Sequence, residues 1–258
     1  MKITVLGSGT SIGVPQIGCT CAVCTSSDAK DKRMRCSSLV ETADARILID
    51  CTPDFRQQML GVPYDRLDGV LITHEHYDHT GGIDDLRPFC HFGGSVKLYL
   101  DSYTANHLRE RLPYFFRSQL YPGVAHISLC EVKPYETFTI GATHIKALPV
   151  MHGKMPILGY RIDCPSGASM GYITDMSSCD EQVPAWLRGV DVLLVNALRF
   201  EPHPAHQTVE DAIRFAHKVG AGTTRLIHFS HDIGLHEKTN ALLPQGIGLA
   251  YDGEVLEW

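Results

Sequence analysis

Within six positions, His74-Glu-His-Tyr-Asp-His79, the chain offers four side chains that bind divalent cations. The residues just before them, Val70-Leu71-Ile72, form an apolar run that suits a strand buried on both faces. Alternation at the strand end sends His74 and His76 the same way. Asp78 and His79 follow where the chain must turn, with Gly81-Gly82 just beyond. Four ligands are too crowded for one tetrahedral ion that keeps a position open. Two ions side by side would use them all. The bland reading is a surface loop rich in His. It leaves four polar residues idle at the end of a buried strand, where function concentrates.

Three further groups could do chemistry. Gly18-Cys-Thr-Cys-Ala-Val-Cys24 places thiols at Cys19, Cys21 and Cys24. Thiolates are soft ligands that select zinc in closed, four-coordinate sites. The fourth ligand must come from elsewhere, and His231 is the obvious partner. Asp50 ends the predicted strand Arg46-Ile-Leu-Ile-Asp50. It either orients a His ring as a second acceptor or caps a helix starting at Thr52-Pro53, and the residues leave both open. His206 sits in a loop directly before a helical pattern, well placed for proton transfer. The glycine-rich loop Gly7–Pro15 lacks the Gly-Lys-Ser/Thr of a phosphate cradle and reads as a tight turn near the site.

His74-Glu-His-Tyr-Asp-His79 resembles the signature of the metallo-β-lactamase superfamily. On that resemblance, His152 before Gly153 and His228 at a strand end take the next ligand positions. Asp175 in Tyr-Ile-Thr-Asp takes that of the bridging carboxylate. Gly-Thr-Ser-x-Gly-x-Pro, the Cys cluster and His228-x-x-His231 are similar to one branch, the PhnP-like phosphoribosyl 1,2-cyclic phosphate phosphodiesterases, over nearly the whole length. The resemblance implies an α/β fold, a four-layer αββα sandwich with two mixed β-sheets. It implies one divalent ion on His74, His76 and His152, another on Asp78, His79 and His228, and Asp175 between them. The ions would be zinc or manganese, and a structural zinc would sit on Cys19, Cys21, Cys24 and His231. It also implies a homodimer.

The implied reaction is attack of a metal-bridging hydroxide on a small, cyclic phosphodiester. Asp78 and His206 are the expected catalytic groups, His206 protonating the leaving alkoxide or steadying an equatorial oxygen. Two divalent ions against Asp78, Asp175 and a hydroxide leave a charge of roughly +1, which suits an anionic substrate. One departure is Gln207-Thr208 after His206, closer to the His-Glu-Ala-Thr region of tRNA 3′-processing endonucleases. Those enzymes grip tRNA with a basic, glycine-rich arm, and no such segment is visible here. Thioester hydrolases and β-lactamases do not resemble this Cys cluster. A non-catalytic metal sensor is opposed by the complete ligand set.

These residues need a frame. The 258 residues, 44% of them hydrophobic, read as one domain, 1–258. A formal net charge of −6 offers no general basic field for nucleic acid. No apolar run reaches the ~18 residues of a membrane span, and Met1-Lys2-Ile3 leads straight into a strand. A cytoplasmic protein without a leader is expected. Nine cysteines, an odd number, and fourteen histidines point to metals or free thiols over a disulfide framework. Strands are predicted at 2–6, 46–50, 70–72, 97–100, 158–162, 168–174, 191–195, 224–228, 246–250 and 255–258. A meander is predicted over 124–129, 137–140 and 144–149. Helices are predicted at 52–60, from Ile83, at 102–112 and from Val209, the last with Thr208 and Asp211 as cap and partner. Tyr114-Phe-Phe116 and Tyr121 read as an aromatic cluster in the core or at a dimer surface.

Overall fold

The computed structural model describes the chain apart from Ser118, Leu120 and Pro122, and gives only the backbone of Phe92 and Gly93. Strands β1 (Lys2–Gly7), β2 (Ser37–Glu41), β3 (Arg46–Ile49), β4 (Gly69–Leu71), β5 (Val96–Leu100) and β6 (Ile127–Glu131) lie side by side in one sheet. Strands β7 (Thr137–Ile140), β8 (Thr143–His152), β9 (Met155–Asp163), β10 (Ser169–Ile173), β11 (Val192–Asn196), β12 (Thr223–Ile227) and β13 (Ile247–Leu249) form the second. The last strand, β14 (Val255–Glu257), returns to pair with β1. Both sheets are mixed. Each is antiparallel over its early strands and parallel over its later ones, from β3 to β6 and from β10 to β13.

The helices are α1 (Phe55–Leu60), α2 (Tyr77–Thr80), α3 (Cys90–Gly93), α4 (Ser102–Arg111), α5 (Gln182–Leu187), α6 (Val209–Val219) and α7 (His236–Asn240). Between the sheets lies a core that includes Ile47, Leu71, Tyr160, Tyr172 and Ile227. Phe55, Leu86, Leu98 and Leu108 fill the outer face of the first sheet. Val183, Leu187, Ala212 and Val219 fill that of the second. These are the four layers of an αββα sandwich. Among the described residues, no helix is long and apolar enough to cross a membrane.

Strands β4, β10 and β11 are buried along their whole length. That is why β4 and β11 carry the apolar runs Val70-Leu71 and Val192–Val195. Helix α6 starts at the capping box that the sequence predicts: the Thr208 hydroxyl accepts from the Asp211 N–H, and the Asp211 carboxylate accepts from the Thr208 N–H.

Three expectations need correction, and one strand was missed. The stretch 124–149 is not one meander. Strand β6 starts at Ile127 and pairs parallel with β5 in the first sheet, whereas β7 opens the second. Strand β2 went unpredicted because Ser37 and Ser38 interrupt its apolar pattern; both are buried, and Ser37 Oγ donates to the Ile49 and Asp50 carbonyls. Helix α1 begins at Phe55, since Thr52 Oγ1 accepts from the Asp54 N–H and makes the preceding residues a turn. Tyr121 stands exposed, apart from the Tyr114–Phe115 ring pair.

Candidate metal centre

The site residues leave the ends of strands from both sheets. β4 delivers His74 and His76, β8 delivers His152, β10 delivers Asp175, and β12 delivers His228. Three residues just past a strand end turn with positive φ: Asp50 (59°), Asp175 (53°) and His228 (60°). Only one other described non-glycine residue does so, Tyr135. Such a conformation costs on the order of 1–3 kcal/mol and persists where the surroundings impose it. Here it turns each side chain back toward the space between the strand ends.

The turn after β4 is held from several sides. Tyr160 Oη, inside the inter-sheet core, donates to the Ile72 carbonyl at 2.6 Å, and the Leu158 N–H donates to the Thr73 carbonyl at 2.9 Å. Arg111 donates to the Glu75 carbonyl and the Thr80 hydroxyl. Gly82 is needed for close approach: a Cβ there would lie 2.1 Å from the Thr52 carbonyl oxygen. That contact lets the Cys51 N–H reach the His79 carbonyl at 2.8 Å.

Two groups of ligand atoms result. Those of His74, His76 and His152 lie within 4.8 Å of one another, as do those of Asp78, His79, Asp175 and His228. The groups adjoin, with the His74 and His79 rings 4.2 Å apart by centroid. His74 Nε2 and His76 Nδ1 approach to 3.0 Å. His152 Nδ1 donates to the Ala205 carbonyl at 2.9 Å, which leaves Nε2 free. Asp175 Oδ2 lies 3.2 Å from both His79 Nε2 and His228 Nε2, and Asp78 Oδ2 lies 3.1 Å from His79 Nε2. His79 Nε2 and His228 Nε2 are buried without a hydrogen-bond partner. Buried ring nitrogens without partners, facing carboxylates, are a donor set that a divalent cation would satisfy.

The electrostatics agree. Burial alone would push the His79 imidazolium down, but Asp78, Asp175 and Asp50 outweigh it and hold its pKa well above the ordinary value. Burial pushes Asp175 up, but His228 and His79 hold it well below the usual carboxylate range. Asp78 is likewise lowered against its burial, by His79 and His228.

Asp50 caps no helix. Its Oδ2 accepts from His79 Nδ1 at 2.7 Å, and its carboxylate also takes the Thr73 N–H and hydroxyl. His206 lies beside both groups, its ring 4.8 Å from His152 and 5.2 Å from His228 by centroid. Its Nδ1 is 3.7 Å from Asp175 Oδ1 and has no hydrogen bond. Its ligand atom also comes within 4.8 Å of those of His152 and Asp175, so the geometry offers it as a ligand too. Burial, with His228 and His152 adding, holds its pKa at about 3. A cavity of about 390 Å3 opens beside it, lined by Phe200, Pro202, His203, Thr208 and Arg214.

The Cys knuckle forms a separate group. Cys19, Cys21, Cys24 and His231 have ligand atoms within 4.8 Å of one another, with Cys21 Sγ 3.3 Å from His231 Nδ1. The Cys24 backbone N–H, aided by His231 and Cys19, lowers the Cys21 thiol to about 6, while burial pushes Cys24 up to about 11. The loop Gly7–Pro15 joins this knuckle to the centre: the Thr10 N–H donates to the Phe229 carbonyl, and the Phe229 N–H to that of Ser8.

Sequence reasoning missed Thr73, Tyr160 and Asn196. Buried Asn196 bonds both the N–H and the carbonyl of Met176, which fixes the chain just past Asp175. A polar residue ending the apolar run Val192–Val195 was the signal available.

Residues 45–229 match the model of the β-lactamase superfamily domain. The chain aligns over 100% of its length with 96% of a solved structure described as a new diphosphatase from the PhnP family, at 41% identity and a TM-score of 0.90. It is similar in fold to zinc-bound PqqB from Methylobacterium extorquens, at 21% identity and a TM-score of 0.81 over all of both chains. It is also 45% identical, over 98% of its length, to a Porphyromonas gingivalis protein named octanoyltransferase. It spans about half of that protein, 51%.

Proposed function

This chain belongs to the β-lactamase superfamily and, within it, to the PhnP family, and from that premise we propose a two-metal hydrolase of small phosphodiesters. The observation that carries this reading is the pair of buried, unpartnered Nε2 atoms on His79 and His228 facing Asp78 and Asp175. His74, His76 and His152 would hold one cation, and Asp78, His79 and His228 the other. Asp175, whose Oδ2 faces His79 and His228 and whose carboxylate also comes within 4.8 Å of the His152 ligand atom, would serve both. Bound divalent ions would act as Lewis acids and lower the pKa of a bound water to about 7. Imidazole and carboxylate donors suit zinc or manganese. The Cys19, Cys21, Cys24 and His231 group, with three soft donors, would hold a structural zinc.

The remaining work falls to the chain itself. Asp50 fixes the His79 ring. Asp78 and Asp175 would offset half the charge of two divalent ions, leaving a modest positive centre that draws in an anionic phosphate without trapping it. His206 faces the cavity that would receive the leaving group, and we assign it the leaving oxygen. Burial and the neighbouring histidines lower its pKa, and an anionic phosphate nearby would push it back up. A homodimer, implied by the resemblance, completes the proposal.

A second reading has its own support. The PhnP-family relative is described as a diphosphatase, which favours a phosphoanhydride. A turnover panel separates the possibilities: a five-membered cyclic ribose phosphate, bis(p-nitrophenyl) phosphate, a nucleoside diphosphate sugar, an octanoyl thioester and a β-lactam. We expect turnover of the phosphorus substrates, highest for the cyclic diester. Turnover of the thioester or the β-lactam alone would refute the reading.

A further inference from the structure

Asp50, Thr73, His74 and His79 form an unbroken hydrogen-bonded chain inside the protein, and none is more than 1% exposed. Asp50 Oδ2 lies 2.7 Å from His79 Nδ1. Thr73 Oγ1 lies 2.9 and 3.1 Å from the two Asp50 oxygens and 3.0 Å from His74 Nδ1. The Thr73 N–H donates to Asp50 Oδ1 at 2.8 Å, which pins the hydroxyl beside the carboxylate.

The direction of each bond follows by elimination. A threonine hydroxyl has one hydrogen, and a carboxylate can only accept. The Thr73 hydrogen is therefore committed to Asp50, and its oxygen can only accept from His74. That requires the hydrogen of His74 to sit on Nδ1, which leaves the Nε2 lone pair free. His74 Nε2 is the atom that faces His76 Nδ1 in the first ligand group. By the same logic His79 carries its hydrogen on Nδ1 toward Asp50 and presents Nε2 to Asp78 and Asp175.

We propose that Thr73 is a positioning residue through which the single Asp50 carboxylate sets the ligating tautomer of one histidine in each metal group: His79 directly and His74 through the Thr73 hydroxyl. The inference rests on the two-metal reading above. Its consequence is an asymmetry. Removing Asp50 disturbs both groups, whereas removing the Thr73 hydroxyl disturbs only the group of His74, His76 and His152. Hydrogen-bond partners of metal-binding histidines typically contribute about 10–100-fold in metal affinity.

The test uses the full chain with Thr73→Val, Thr73→Ser and Asp50→Asn, and zinc as the probe. Zinc is titrated against a competing chelator, and the histidine ring nitrogens of the metal-free protein are read by 15N NMR. We expect Thr73→Val to weaken one of the two centre zincs about 10–100-fold and leave the other within a few-fold. His74 should lose its pure Nδ1–H signature, and Thr73→Ser should restore both. Asp50→Asn should weaken both ions. Equal weakening of both zincs by Thr73→Val, or no change with the His74 tautomer intact, would overturn the relay. A wild-type chain that bound no zinc at the centre would overturn the two-metal reading instead, and the tautomer spectra would still decide the relay.

Discussion

The His/Asp centre and the Cys knuckle differ in what holds them when no ion is bound. At the centre, the ligands sit on strand ends of two packed sheets, and His74, His79, Asp175 and His228 are at most 2% exposed. Their orientation is fixed by Asp50, by the Tyr160 hydroxyl and by left-handed turns that the sheets impose. At the knuckle, the cysteines lie on a loop and His231 opens a single 3-10 turn. Cys19, Cys21 and His231 are only half-buried, and the apolar support is a small cluster around Val14, Val23 and Leu235. Catalysis needs ligands positioned before the ion arrives, and packed strands supply that. A closed thiolate site needs no open position and draws its order from the ion itself. The expected signature is an opposite pattern of damage: activity before stability at the centre, stability before activity at the knuckle.

The sharpest way to break this contrast is Asp175→Ala. It leaves His79 and His228 without the carboxylate they share. Turnover should fall to assay background and centre metal should be lost, while near-UV circular dichroism stays native. A variant retaining its metals and a tenth of its activity would remove Asp175 from the bridging role. His206→Ala should come next. It should keep wild-type metal content and lose roughly 10²–10⁴-fold in kcat, the range for a general acid. The loss should shrink for a nitrophenolate leaving group, which needs no proton. If metal content falls instead, His206 belongs with His152 and Asp175 as a ligand.

At the knuckle, Cys21→Ser should cost one zinc and lower the melting temperature, by about 2–4 °C for each kcal/mol lost in a chain of this size. Activity should drop only as a consequence, because His231 is three residues from His228. Unchanged zinc content and melting temperature would mean that no structural site exists. The smallest effect should come from Thr208→Ala. The capping box of α6 contributes about 1 kcal/mol. Its loss should shift melting by a few degrees and slightly loosen the His206 loop, visible as a small rise in KM with metals unchanged.

How far the sequence could be read follows the same divide between local and distant. His74 to His79 were legible because the ligands crowd one turn, and the Cys cluster for the same reason. Asp175, His152 and His228 are lone residues at separate strand ends, and only the family resemblance connected them. Thr73 and Asn196 escaped notice because their roles depend on which strand end lies opposite, and that is set by register between strands. The same limit misplaced β6. Its apolar pattern marks a strand, but periodicity carries no information about which sheet receives it. Strand β2 was hidden because two adjacent serines, of which Ser37 pairs with backbone carbonyls, look like a loop.

The central claim is a two-ion centre apart from a one-ion knuckle. Anomalous scattering from crystals of catalytically active protein, with metal analysis of the same sample, tests it most directly. The account predicts two divalent ions about 3.5–4 Å apart among His74, His76, His152, Asp78, His79, Asp175 and His228. A third, zinc, should lie among Cys19, Cys21, Cys24 and His231. A single ion at the His/Asp centre in fully active protein would contradict it.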